Sequence, residues 1–302
     1  MGTPSYGAKD SLLAFDTALP IDASSIPMIF ISETMTKEHE ILQDEGLRGK
    51  LGMAVERTRN GKEKVSGQVV FEASPIMLDS LLYVICGTAE AADVFALAET
   101  IPSFYLMIAK GAKDYTFNNC IVSKATFKSE AGKKLMLTLD LEAESTTTSA
   151  SSTLSALALT IPTDKPYSYS DLVCTAFSSA RDIFDHEVVI DNTIDAERWV
   201  NAINRVNMTS QGRVVSFNIT TPFSSSETDL IATALGGSTG SSSIYTNADA
   251  GTSVLTMTFG VVQFPKTIPT VGGKSEIKLG LQGRLLRTGT ATQELSFVNA
   301  HA

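Results

Sequence analysis

The residues that most enzymes rely on are scarce in this chain. Three histidines and three cysteines occur in 302 residues. Cys86, Cys120 and Cys174 are far apart and odd in number, and no CxxC pair exists, which excludes a disulfide framework. Each lies among apolar neighbours, as in Leu82-Tyr83-Val84-Ile85-Cys86, and reads as a small buried hydrophobe of a reducing cytosol. His301 is beside the terminus, and His39 stands between Glu38 and Glu40. His186 belongs to Asp182-Ile183-Phe184-Asp185-His186-Glu187, whose side chains suit a metal. No second histidine stands at ligand spacing and no HExxH occurs, so this run reads as a surface charge cluster.

Other signatures are missing too. There is no GxSxG nucleophile elbow. Val271-Gly272-Gly273-Lys274-Ser275 ends like a phosphate-binding loop, but Ile268 stands where its first glycine should, so a hairpin turn is expected. Carboxylates such as Asp140, Glu142 and Glu144 sit at alternate positions and read as the wet face of a sheet rather than a glycosidase pair. No catalytic, cofactor-binding or metal-binding residue is therefore expected. No run approaches 18 apolar residues, so no membrane span is expected. Met1 to Gly7 has neither the basic nor the apolar region of a signal peptide, and Tyr6 breaks the myristoylation pattern that Met1-Gly2 begins. Synthesis and assembly in a cytoplasm are expected. Basic patches are absent as well. The net charge is -9, and the densest basic stretch, Arg57 to Lys64, contains Gly61 and Glu63 and reads as a turn. Such a surface repels phosphate, which argues against ordinary nucleic-acid binding.

What the chain does have is apolar residues, at 43%, and an internal repeat. Val65-Ser66-Gly67-Gln68-Val69-Val70-Phe71 is followed by Ser74-Pro75 and a helical run to Gly87. Ser210-Gln211-Gly212-Arg213-Val214-Val215-Ser216-Phe217 is followed by Thr221-Pro222 and a second helical run to Gly236-Gly237. In the first copy Ser74 is the expected N-cap and Pro75 the first helical residue, Ile76, Met77, Leu81, Val84 and Ile85 share a face, and Gly87 stops the helix. In the second, Ser224 and Glu227 form a capping-box pattern ahead of Leu230, Ile231, Ala234 and Leu235. Downstream, Leu135, Leu137, Leu139 and Leu141 alternate with Met136, Thr138, Asp140 and Glu142, the period of a half-buried strand. Ile277, Leu279 and Leu281 repeat that pattern.

Upstream, Met28-Ile29-Phe30-Ile31 corresponds to Val188-Val189-Ile190, each before a long polar stretch, 33–64 and 191–211. The first is too long for a tight hairpin and dense in mixed charge: Lys37, Glu38, Glu40, Asp44, Glu45, Arg48 and Arg57. The second holds Trp199, the single tryptophan, in Asp195 to Ile203, which reads as a short helix. Trp199 suits either a core position or an interface anchor. A small-residue tract, Ser145 to Thr153, followed by Pro162 and Pro166, marks a boundary. It divides a first repeat, 1–160, from a second, 161–302.

A duplicated β unit leaves sheet edges that must be covered or paired, and head-to-tail pairing of such edges closes a ring. The order of strand, Ser/Thr-Pro helix, Gly and strand pair resembles the tail tube proteins of long-tailed bacteriophages, in the subgroup of about 300 residues whose tube fold occurs twice. The resemblance rests on Gly67 to Pro75, Leu78-Asp79-Ser80-Leu81-Leu82 and their second-copy counterparts. An extra residue or two between Val215 and Pro222 leaves the strand register there open. The resemblance implies a mainly β (β+α) fold of two tandem β-sandwich or split-barrel repeats, each with one flanking helix. It implies trimeric rings stacked into a hollow conduit around a tape-measure protein, with tail terminator and distal tail proteins as partners. DNA would pass an acidic lumen without specific binding. The charged stretch 33–64 and Trp199 are then the candidate contacts between rings and subunits. The competing readings are the tube of a contractile injector and a carbohydrate-active β-sandwich.

Overall fold

The computed structural model describes residues 11–43, 58–87, 93–149, 153–154, 157, 159–176, 178–223, 239, 241–247, 253–265, 276–287 and 293–300. The fold is mainly β. Its first strands are β1 (Ser11–Asp16), β2 (Ile26–Met28), β3 (Phe30–Glu33), β4 (Thr36–Leu42) and β5 (Arg59–Glu72). Helix α1 (Pro75–Cys86) follows, then β6 (Val94–Ala96), β7 (Phe104–Lys110), the 18-residue β8 (Lys113–Glu130), β9 (Met136–Ala143) and β10 (Ser145–Thr148). The later strands are β11 (Leu172–Ala176), β12 (Ser179–Arg181), β13 (Asp185–Asp191), β14 (Ile194–Asp195), β15 (Thr209–Ser210) and β16 (Val214–Pro222). The last are β17 (Ser241–Asn247), β18 (Ser253–Phe259), β19 (Val261–Gln263), β20 (Lys278–Leu286) and β21 (Leu295–Ala300).

The period-two runs become strands whose alternate residues are sealed. On β9, Leu137, Leu139 and Leu141 are buried while Met136, Thr138, Asp140 and Glu142 are partly open. On β20, Leu279, Leu281, Gly283 and Leu285 point inward and Lys278, Gly280, Gln282 and Arg284 outward. Each fully buried leucine contributes about 2 kcal/mol of transfer free energy. Gly283 makes room for a neighbour: a Cβ there would stand 2.6 Å from the Phe264 ring.

The strands form two main antiparallel sheets. The larger has thirteen strands and runs β19-β20-β16-β13-β8, where β8 passes on both to β9-β5-β3/β4 and to β7-β1-β2. The smaller runs β12-β11-β17-β18-β21-β6. They stack as a sandwich through Phe127 on Phe297, ring centres 5.3 Å apart, and Phe217 on Phe259, 4.5 Å apart. The pairings of the first half recur in the second. β1, β7, the start of β8 and β10 pair in the order that β11, β17, β18 and β21 follow. β5, β9 and the end of β8 pair as β16, β20 and β19 do. β8 bends between its two roles at Asn119 (φ 49°), and Gly260 separates β18 from β19.

The register between the halves, open in the sequence, is readable from hydrogen bonds. Ala73 N–H donates to Leu135 O at 2.9 Å, and Phe223 N–H to Ile277 O at 2.9 Å. Counting back, Val65-Ser66 aligns with Val215-Ser216, not with the Gly-Val-Val similarity. The halves are not separate cores: β6 pairs with β21, and α1 lies among β6, β8, β18 and β21. That position buries Met77, Leu78, Leu81, Leu82, Val84, Ile85 and Cys86, more of the helix than one face, while Ile76 stays exposed.

Three expectations need correction. Ser74 makes no side-chain cap on α1; Asp164 does that work, accepting the Ile76 N–H at 2.9 Å, where a carboxylate also meets the positive helix end. Gly87, at φ 85°, ends the helix as expected. Asp195 to Ile203 is not a helix but β14 followed by irregular chain, because its hydrogen bonds go to other segments. The stretch 33–64 is not a plain loop: β4 and β5 pair from Thr36↔Ser66 to Leu42↔Arg59 as a long hairpin arm. The second expected helix after Ser224 and the turn at Gly272-Gly273-Lys274 fall outside the described residues. The Ser145 tract forms β10, paired to β8.

Replacing Leu139 by Ala is expected to cost about 3 kcal/mol, as large-to-small core changes do. Thr138→Ala, on the outward side of the same strand, should cost less than about 1 kcal/mol. Urea melts of the two variants check this.

Candidate functional site

The feature that sets this chain apart is the outward face of its large sheet. Cross-strand neighbours line up in rows. One row holds Glu72, Met136, Lys128, Glu187, Asn218 and Gln282. The next holds Val70, Thr138, Thr126, Val189, Ser216 and Arg284. Another holds Gln68, Asp140, Lys124, Asp191 and Val214. The rows cross from first half to second without a break at β8·β13. On this face Glu72, Glu130, Asp140, Asp185, Glu187 and Asp191 slightly outnumber Lys64, Lys124, Lys128, Lys278 and Arg284. Gln68 donates to Asp140 at 2.8 Å, Asn218 to Glu187 at 2.9 Å, and Lys134 pairs with Glu72 at 2.6 Å. Glu130 lies between Lys133 and Lys128, which in that order hold its carboxyl down to about 2. A depression of about 240 Å³ over Lys128, Glu130, Asp185, Glu187 and Asn218 is shallow and charged.

The Asp182–Glu187 run is not the surface cluster expected of it. Alternation along β13 sends Asp185 and Glu187 to the wet face and His186 into the core, where it is 0% exposed. The parity shared by His186, Val188 and Ile190 carried that signal. Its ring lies 2.8 Å from Ser243 Oγ and 3.1 Å from Tyr245 OH. A serine beside an imidazole is a nucleophilic pairing elsewhere. Here both residues are sealed between the two sheets, out of reach of a dissolved substrate. Burial pushes the His186 pKa down to about 3. Among the described residues no group of three His, Cys, Asp or Glu side chains gathers as for a metal. All three cysteines are buried and free, and burial raises their thiols.

The candidate contact residues divide. Lys37, Glu38 and Glu40 lie on β4, every residue of which is exposed. Asp44, Glu45, Arg48 and Arg57 lie outside the described residues. Trp199 is on neither the arm nor its tip but braces the arm from the second half. Its indole N–H donates to Glu63 O at 3.2 Å, Lys62 Nζ stands 4.6 Å over its ring, and Ile203 O accepts the Glu63 N–H at 2.9 Å. Arg205, 1% exposed, lies 5.6 Å from the same ring, donates to Val65 O at 3.3 Å and pairs with Glu142. Glu144 accepts the Asn207 N–H at 2.6 Å. Arg205 was not singled out in the sequence, because nothing local distinguishes it from a surface arginine.

Two outcomes follow. A buried neutral histidine stabilises the fold fully above its unfolded pKa of 6.5, and that contribution is lost as pH falls toward 3. Between pH 6.5 and about 4.5 stability should drop by about 1 kcal/mol per unit, and His186→Gln should flatten that slope in urea melts. Arg205→Ala should shift the emission of the single tryptophan to the red at native circular dichroism, since it removes the cation beside the ring and loosens the brace.

No curated protein matches the sequence significantly. A family model described as phage tail tube protein matches residues 4–297, nearly the whole chain. This chain belongs to the phage tail tube protein family, as a structural component of the virion tail.

Proposed function

We propose that three copies of this chain close into a ring and that rings stack into the hollow conduit through which the genome leaves. Each copy supplies two tube units, 1–160 and 161–302. The observation that carries this is the β8·β13 junction. There the two halves join edge to edge, from Lys124↔Asp191 to Glu130↔Asp185, so that one polar face runs across both. Repeating that step between copies curves the sheet around an axis, and a closed sheet has no exposed edge.

The polar face is the lumen wall in this reading. Its slight excess of carboxylate, in a chain of net charge -9, disfavours lasting contact with phosphate. A tape-measure protein would fill the lumen during assembly, and tail terminator and distal tail proteins would cap its ends. The β4–β5 arm, with Lys37, Glu38, Glu40 and, beyond it in sequence, Asp44, Glu45, Arg48 and Arg57, is the ring-to-ring contact. Trp199 supports it by fixing the arm's base. The Lys37–Glu63 ion pair at 2.8 Å and the His39–Glu63 hydrogen bond at 3.2 Å stiffen the arm before any partner arrives.

Electron microscopy of the protein over a concentration series tests this reading. Hollow tubes or stacked rings with three-fold symmetry are expected. Replacing residues 44–57 with an Asn-Gly turn should leave single rings that do not stack. Tubes of unchanged length from that variant would remove the arm from the ring-to-ring contact.

A further inference from the structure

The smaller sheet has one face in the shared core and one turned out. Alternation along its strands fixes which residues lie on which. Cys174, Tyr245, Leu255, Met257 and Phe297 point inward and are buried. On the other side the register sets Val173, Ile244, Thr256, Val298 and Val94 in one row across five strands. The rows beside it, from Thr175 to Ser296 and from Thr246 to Ala300, hold only Thr, Ser, Val and Ala. No charged side chain interrupts these three rows, in a chain of which 19% is charged. Val173 and Val94, at the two ends of the central row, are 54% and 40% exposed.

The first half shows what such a face needs. Its β1, β7, start of β8 and β10 are the counterparts of β11, β17, β18 and β21. Their side away from the shared core carries Leu12, Ala14, Tyr105, Met107 and Ala109, and the chain covers it itself. Ile21, from the connection of β1 to β2, and Leu154, Leu157 and Leu159, from the segment after β10, pack there as a second apolar cluster. Asp114 pins that segment by accepting the Leu154 N–H at 2.8 Å. In the second half β11 turns into β12 with Ala176 opposite Ser179, without an inserted connection like 17–25.

We infer that the outward face of β11, β17, β18, β21 and β6 seats a second protein that lies outside the tube. Its contact is an uncharged extended segment, whose apolar side chains take the place that Leu154, Leu157 and Leu159 take in the first half. Charge and area both bear on this occupant. A charged partner would lose hydration against a face that offers no counter-charge. Five strands about 4.8 Å apart and three rows about 7 Å apart make a face of about 500 Å². A stable pair of proteins takes about 800 Å² per partner, so one face holds a lone partner weakly. Among the described residues the chain carries one such bare face, against two tube units. A ring of three chains then presents three, and a partner that engages all of them gains by avidity what a single face lacks. With the polar face of the large sheet on the lumen, the smaller sheet looks away from the axis, where other copies in the same tube do not reach.

This inference rests on the ring reading above, and its test separates the two. Thr256→Cys puts a thiol at the centre of the face, and the three native cysteines are buried and should give little background. A maleimide dye should label the new thiol freely in tubes of purified protein. In the tails of intact virions labelling should be at least about tenfold slower, as for a site that reacts only when it opens. Hydroxyl-radical footprinting of unmodified protein reads Val173, Ile244 and Val298 in the same two states, so the outcome does not depend on how the variant folds. Equal reaction in tubes and in tails would show the face bare and overturn the inference. Slow reaction already in the tubes would place the face between copies of this chain and overturn the outside partner. Both of those results leave the tube reading standing, whereas wild-type protein that forms neither rings nor tubes, even on isolated tails, would refute the tube reading itself.

Discussion

Backbone hydrogen bonding at the ends of a β-sheet is the constraint on which this structure turns. A sheet that is open at its ends leaves a row of N–H and C=O groups that water or another strand must satisfy. Inside the chain the problem is solved once, where the far end of β8 pairs with β13 over seven residues from each half. That junction makes one sheet of two similar halves and sets the polar face in continuous rows. It also puts β6 and α1 of the first half against the strands of the second, so that the two share one apolar core.

The sharing has a mechanical consequence. A unit that pairs edge to edge by backbone alone could hinge about that seam. Here the seam is stiffened on two sides. Below it, Phe127 and Phe217 pack on Phe297 and Phe259 of the smaller sheet, and His186 reaches across to Ser243 and Tyr245. At its end, Arg205 and Trp199 tie the 192–211 segment to β5 and β9. Arg205 is costly to bury, with Nε and Nη2 lacking hydrogen-bond partners, and its pairing with Glu142, the Val65 carbonyl and the Trp199 ring offsets part of that cost while specifying where the arm leaves the body. Buried networks of this kind favour one arrangement over its neighbours more than they add net stability. For a subunit whose role is to meet copies of itself, a defined angle between halves matters more than an added kilocalorie.

The outward face shows how one side of a β-sheet carries mixed charge. Cations and carboxylates alternate within hydrogen-bonding reach, Lys133 and Lys128 on Glu130, Lys134 on Glu72, so that little net field of either sign builds up. A strongly basic wall would hold phosphate, and a purely acidic one would strain the sheet by like-charge repulsion across strands. The small carboxylate excess lies between these limits.

Much of this was legible in the sequence because strand burial has a period of two and helix ends have their own residues. Leu135 to Glu142 could form only a half-buried strand, and Pro75 and Gly87 bracketed the one described α-helix. The recurrence of those signals is the ground for reading two repeats, and the strand pairings of the two halves are compatible with it. Other features depend on residues distant in sequence, where local pattern is silent. Asp164 caps a helix that begins at Pro75, 88 positions away from its Ile76 partner. Asp195 to Ile203 has helical composition yet lies as irregular chain, since Glu63 takes up its backbone and indole bonds. His186 looked like part of a charged surface, although its parity with Val188 and Ile190 put it on the dry side of β13, and the pairing of β13 between β8 and β16 seals that side. Chemistry read residue by residue determined which segments are strands. Tertiary structure decided which edges meet, because a backbone hydrogen bond is indifferent to side chains and its partner is chosen by where the whole sheet brings it.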